Sequence, residues 1–225
     1  MILGIDTSLG TAVAVVETDG VALAAAQSAN PLGHAEVIGT LLQTVLTEAT
    51  LGPIGTTTPT PVVLTHVAAG MGPGPFTGLR VGIAAARAFA LGRGLPVVPV
   101  PSHDAAALEL ILAAALADPF AGTARFAVVT DARRREFAYS VYDGLDDDGI
   151  PERAHGPALT PRDSIDDVLA GLGATRHDVT AISATMLATL AGRAVAASRT
   201  LSGPEPLYLR APDVTLPAPR KRVST

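Results

Sequence analysis

ILGIDTSLGTAVAVVETDGVALAAAQS, residues 2–28, sets the fold. A short apolar run ends at Asp6, a second follows from Thr11, and the pair Asp19–Gly20 turns the chain into a third. An Asp-Gly between apolar runs signals a tight hairpin, so three strands in a meander are expected. Residues 34–50 then repeat apolar side chains at helical spacing. The pattern restarts past the midpoint: RFAVVTDAR is a strand ending in Asp131, and REFAYSVYDG is a second strand. The parallel points to a duplicated strand–strand–strand–helix unit. Further helices are expected over 78–91, 103–117, 161–171 and 184–198. LPVVPVPS should be an edge strand because of its prolines. Residues 144–156 read as a solvated loop, 52–61 as a Thr/Pro insertion and 211–225 as an extended, mobile tail.

GMGPGPFTGLRVG, residues 70–82, joins a strand to the 78–91 helix. That setting suits a phosphate-binding helix start, but the specific fingerprints fail. No Gly-Lys pair exists in the chain, and Thr77 stands where a dinucleotide motif needs Gly. Pro73 and Pro75 remove two backbone donors. The glycines therefore read as a corner, with Thr77 a candidate cap. Gly78, Gly82, Ala86 and Ala90 recur every four residues and make a ridge of small side chains. With Ile38, Leu41, Leu42 and Val45 of the 34–50 helix, Gly78, Gly82 and Ala86 are expected to present a face to another subunit. On that expectation Gly82→Leu weakens a partner and spares the fold.

The chain has 225 residues, 48% of them apolar and 16% charged, and a net charge of −5. So little charge leaves room for an apolar interaction patch, and the negative sign argues against non-specific nucleic-acid binding. The absence of cysteine excludes disulfides, thiol catalysis and Cys-based metal sites. With no signal-peptide pattern or membrane-length apolar run, a cytoplasmic protein is expected.

No two of the five histidines stand three or four residues apart, so no helix presents a paired metal site. There is no Gly-x-Ser-x-Gly elbow. Asp6 and Asp131, each ending the first strand of a repeat, are the strongest catalytic hint. In sugar-kinase and actin-like folds such aspartates organise metal and phosphate, which keeps a small-molecule kinase or ATPase as the alternative. Against it, no two glycines are adjacent to let a nucleotide approach the backbone.

IDTSLGTAVAVV, His34, GPGPFTGLRVG, TDARRREFAYSVY and PLYLR occur in an order that resembles the TsaB (YeaZ) family from residue 2 to about 210. The resemblance implies an α/β fold of the actin/Hsp70/sugar-kinase-like class, with two lobes of duplicated RNase-H-like topology. Residues 1–102 would be the first lobe, carrying the partner-binding helices 34–50 and 78–91, and 103–210 the second. It implies a non-catalytic subunit that binds and activates the TsaD-type catalytic subunit in tRNA threonylcarbamoyladenosine synthesis. A TsaE-type ATPase would join them, tRNA would be met indirectly, and the subunit alone would form a homodimer. It would bind no metal or cofactor itself, ATP or ADP entering only in the assembled complex. Asp6, His34 and Asp131 would then be vestigial or structural. Pro75 and the arginines Arg133–Arg135 depart from the family, which commonly has Ser at the first place and a Gly after the aspartate.

Overall fold

A computed structural model describes residues 1–30, 33–51, 61–120 and 122–210. The 211–225 tail and nearly all of the 52–61 segment lie outside them.

The first sheet contains β1 (Ile2–Asp6), β2 (Thr11–Val16), β3 (Ala22–Ser28), β4 (His66–Gly70) and β5 (Val97–Val100), in the order β3-β2-β1-β4-β5. β1–β2–β3 is the antiparallel meander, turned at Asp19–Gly20, and β4 and β5 add in parallel. The second sheet contains β6 (Phe126–Asp131), β7 (Glu136–Leu145), β8 (Pro151–Pro161) and β9 (Thr175–Asp178), in the order β8-β7-β6-β9. Again the first three strands are antiparallel and the fourth is parallel to the first. The duplication expected from the two aspartate-ended strands is present as one four-stranded topology in both sheets, to which the first sheet adds β5.

Every residue of β1 and β2 is buried because helices cover both faces of the first sheet. On one face Leu3, Ile5, Val13 and Val15 meet α1 (His34–Leu51) and α2 (Phe76–Arg93). On the other, Ile2, Ala12, Ala14 and Val16 meet α3 (Ser102–Ala117) and α5 (Ala184–Ala196). Gly4 permits the last contact: a Cβ there would lie 2.4 Å from the Ala184 carbonyl oxygen. α3 also packs against the second sheet, whose outer face holds Ala127, Val129, Tyr139 and Val141 beneath Ile165 and Leu169 of α4 (Ile165–Gly171). The layers therefore run α1/α2, sheet, α3/α5, sheet, α4.

Three sequence expectations are corrected. α5 comes late in the chain yet packs on the first sheet, and Leu207 donates to the Met71 carbonyl, so 103–210 is not confined to the second lobe. The 144–156 stretch is a hairpin: β7 runs to Leu145, β8 begins at Pro151, and bulges absorb the irregular register. α2 starts two residues early, with Pro75 at its N-cap and no side-chain cap, so Thr77 lies inside the first turn. Gly94, in the left-handed conformation at φ 65°, closes it.

Candidate functional site in the cleft between the lobes

The glycine corner lies against the turn after β1. A Cβ at Gly70 would fall 1.9 Å from Asp6 Oδ2, and one at Gly74 2.9 Å from the Ser8 Cα. Glycine lets these segments close on each other, and Gly72 adopts φ 92° to make the bend. Architecture explains this loop.

The contact seals Asp6. Its carboxylate accepts from the Ser8 amide at 2.7 Å, the Ser8 hydroxyl at 3.2 Å and the Ser102 hydroxyl at 2.5 Å. Ser102 Oγ in turn accepts from the Gly72 amide at 3.0 Å. The Asp6 side chain is 2% exposed, and burial pushes its carboxyl above the usual range although Ser102 and Ser8 pull it down. A carboxylate engaged this way has little capacity left for a metal or a substrate proton.

Asp131 ends the equivalent strand in a different state. It is more than half exposed, accepts from the Arg133 amide at 2.8 Å and pairs with Arg162 at 2.6 Å. The Arg162 hydrogen bond, then the Arg133 amide, hold its carboxyl below the usual range. The two aspartates do not form a matched pair facing one space.

Asp131 instead borders a cleft of about 570 Å³ between the lobes. His34 and the 74–78 corner line one side, Thr130–Arg134 the other, and Tyr208–Arg210 close an edge. His34 opens α1, as expected; its Nδ1 pairs with the Thr11 hydroxyl at 2.9 Å and its Nε2 lies where a Cβ at Gly78 would come within 3.0 Å. Tyr208 packs against Phe76 with ring centroids 4.7 Å apart and planes tilted by 34°, and Arg80 sits 3.7 Å over the Phe76 ring while donating to the Tyr208 hydroxyl. PLYLR thus straps the tail end of the chain to the start of α2. Among the described residues no three His, Asp or Glu side chains gather as metal ligands.

The small-residue ridge faces inward. Gly78 and Gly82 lie on Thr7, whose hydroxyl donates to the Gly78 carbonyl and accepts from the Gly82 amide. Ala86 and Val45 have no exposed surface and Ile38 little, while Leu41 and Leu42 are half-buried. Gly78, Gly82, Ala86 and Val45 therefore serve their own lobe. Outward from α2 run Ala84, Ala88 and Leu91, the last 84% exposed, between Arg80 and Arg87. α1 presents Ala35, Gly39 and Gln43 outward.

A polar hub at the start of α3 is not legible in the sequence. Ser102 binds the first lobe. His103 binds the second through Ser140 at 2.9 Å and Thr130 at 3.0 Å. Asp104 accepts from Tyr142 at 2.7 Å and pairs with Arg153 at 2.9 Å. Burial, aided by the Arg153 charge, lowers His103 to about 3, so the imidazole is neutral. Burial raises Asp104 against the pull of Arg153 and Tyr142. Only partners from distant strands reveal these residues; locally they look like an ordinary polar helix start.

Two sheets sharing one four-stranded topology and flanking a cleft define the actin/Hsp70/sugar-kinase-like class. Within it, the family described as TsaD, tRNA N6-adenosine threonylcarbamoyltransferase, matches residues 32–160. A protein of Mycobacterium tuberculosis H37Rv, Rv3421c, is 36% identical over 180 residues, covering 78% of this chain and 73% of its own; Mb3455c of Mycobacterium bovis gives the same figures. The structure of YeaZ from Pseudomonas aeruginosa superposes with TM-score 0.68 at 23% identity, over 92% of this chain and 99% of that one. Another from the same organism, described as similar to peptidase YeaZ, gives 0.69 at 24% identity over 93% and 99%. The chain belongs to the TsaD family and has the YeaZ fold. No described helix is long and apolar enough to cross a membrane.

Proposed function

We propose that the chain is a non-catalytic, TsaB-type subunit of a cytoplasmic tRNA threonylcarbamoyladenosine synthase, binding and activating a TsaD-type catalytic subunit. The observation that carries this is the state of Asp6. The residue best placed for phosphoryl or metal chemistry is buried and engaged by Ser8 and Ser102. His34, the other chemistry-bearing position, is tied to Thr11. A kinase of this fold needs an accessible carboxylate at the end of β1, and here burial favours the neutral acid there.

The partner surface is the outward side of α1 and α2. Half-buried Leu41, Leu42, Val81 and Phe89 border the small outward residues Gly39, Ala84 and Ala88. Small side chains let partner helices come close, and the low charge keeps desolvation cheap. The same side serves a homodimer when the catalytic subunit is missing, so the two assemblies compete. A TsaE-type ATPase joins the heterodimer, and ATP or ADP belongs to the assembled complex.

The test is light scattering of the chain alone and mixed with the TsaD-type subunit of the same organism, with ATP hydrolysis measured on the chain alone. A one-to-one complex and no magnesium-dependent hydrolysis are expected. Hydrolysis abolished by Asp6→Asn would establish the kinase or ATPase alternative.

A further inference from the structure

We propose that the inter-lobe cleft binds a small anionic molecule, an oxyanion head of phosphate or carboxylate type on an apolar body, with His34 Nε2 and the first amides of α2 on the head. The inference goes beyond the scaffold role and does not rest on it.

His34 is the first observation. It is 6% exposed, and the Thr11 hydroxyl holds its Nδ1 at 2.9 Å. Nε2, on the other edge of the ring, has no partner among the described residues. It is not sealed either. The fully enclosed side-chain atoms left without a partner there are Arg153 Nε and Thr189 Oγ1. His34 lines the cleft of about 570 Å³, so Nε2 opens on that space. A ring fixed at one nitrogen and bare at the other is oriented to bind. When the Thr11 hydroxyl donates to Nδ1, the ring proton sits on Nε2 and faces the cleft.

The start of α2 is the second observation. Phe76, Thr77 and Gly78 form its first turn and line the same wall. Their amides precede the first bond of the helix, from the Leu79 amide to the Pro75 carbonyl, so the helix gives them no acceptor. Pro75 at the N-cap supplies no side-chain cap. Pro73 and Pro75 cost the corner its donors ahead of the helix but leave these three. A Cβ at Gly78 would lie 3.0 Å from His34 Nε2, and Cα–Cβ bonds tilt toward a helix N-terminus. The imidazole edge thus sits beside the uncapped turn. Donors from the starts of α1 and α2 converge there, with the positive end of the α2 dipole behind them.

The arginines opposite do not select the ligand. Arg210 pairs with Glu136, and Arg133 sits by Asp131, whose carboxyl it helps hold below the usual range. Asp131, the acid on the cleft, is itself engaged by Arg162 and the Arg133 amide. Leu9, Phe76, Ala138, Leu159 and Leu209 supply apolar walls. A cleft of this volume, mostly apolar with a few converging donors, suits a small organic molecule. The donors call for an anionic head, and the walls for an apolar body.

The experiment is an NMR titration of the histidine side-chain nitrogens of the chain alone. Phenyl phosphate, benzoate, inorganic phosphate and benzyl alcohol are the probes. The chain has five histidines, and His34→Asn identifies the signal of His34. Phenyl phosphate or benzoate should shift that signal saturably, with a dissociation constant below about 1 mM. The tighter of the two assigns the head as phosphate or carboxylate. Inorganic phosphate, which lacks the apolar body, should bind about tenfold more weakly than phenyl phosphate. Benzyl alcohol, which lacks the charge, should not shift the signal.

Calorimetry then compares two variants whose folds are checked by circular dichroism. His34→Asn keeps an amide near the Nδ1 position for Thr11 and leaves nothing at Nε2. It should bind the preferred anion about tenfold more weakly, as for one lost charge-assisted hydrogen bond. His34→Gln carries its amide nitrogen to the Nε2 position and should stay within about threefold of the wild type. A wild type whose His34 signal responds to neither organic anion overturns the proposal, whether or not the variants fold. So does a folded His34→Asn that binds as the wild type does, or benzyl alcohol binding as tightly as the anions. No catalytic subunit is present in these measurements, so their failure leaves the proposed complex untouched.

Discussion

The Ser102 hydroxyl donates to the Asp6 carboxylate at 2.5 Å across 96 residues of sequence. One proton thereby joins the start of α3 to the end of β1, and the same oxygen holds the glycine corner through the Gly72 amide. Ser102→Ala would leave a buried carboxylate oxygen and a buried amide short of a partner, costing about 2–4 kcal/mol. Urea denaturation should show that as a lower midpoint. Asp6→Asn keeps a carbonyl acceptor and should cost less.

Acid should loosen the hub through His103. Its folded value of about 3 lies below the ordinary 6.5, so the unfolded chain takes up the proton first. The neutral histidine's contribution is complete above pH 6.5 and is lost as pH falls towards 3. Asp6 and Asp104 work in the opposite direction, because their folded values are raised and they favour the protonated fold. Comparing wild type with His103→Gln isolates the histidine. Their stability difference should change by up to about 1.4 kcal/mol per pH unit between about pH 6 and 4, wild type losing more on acidification.

Two helical glycines should respond oppositely to a methyl group. A Cβ at Gly82 would lie 2.2 Å from Thr7 Oγ1, so Gly82→Ala should destabilise by about 1–3 kcal/mol. Gly82→Leu should cost more, so it cannot serve as a clean probe of partner binding. At Gly39 nothing lies within 4 Å, and Gly39→Ala should stabilise by about 0.5–1 kcal/mol. Thermal melts of the single variants decide both.

The outward stripe of α2 supplies the clean probes. Ala88→Glu and Leu91→Glu alter exposed side chains and should change stability by no more than about 0.5 kcal/mol. Both should weaken the complex with the catalytic subunit by at least about tenfold, because a buried unpaired carboxylate costs more than 1.4 kcal/mol. Calorimetry with unchanged affinities would move the interface off α2.

The duplicated meander was legible because Asp19–Gly20 and the two aspartate-ended strands are local signals with local causes. β5 was legible from its prolines and lies at the sheet edge as expected. The inward turn of Gly78, Gly82 and Ala86 was not. Periodicity groups residues on one face, but a helix apolar nearly all round does not say which face meets its own sheet. β8 was hidden because PERAHGPALTP mixes proline, glycine and charge, tolerable only on an irregular edge strand. At the candidate site, Asp6, His34 and Asp131 were visible as positions. Their fates depend on Ser102, Thr11 and Arg162, which are distant in sequence.

Light scattering of the chain mixed with its TsaD-type subunit, repeated with Leu91→Glu, tests the central claim most directly. A scaffold subunit gives a one-to-one complex for the wild type and separate species for a folded Leu91→Glu. A wild type that never joins the catalytic subunit, with or without nucleotide, contradicts it.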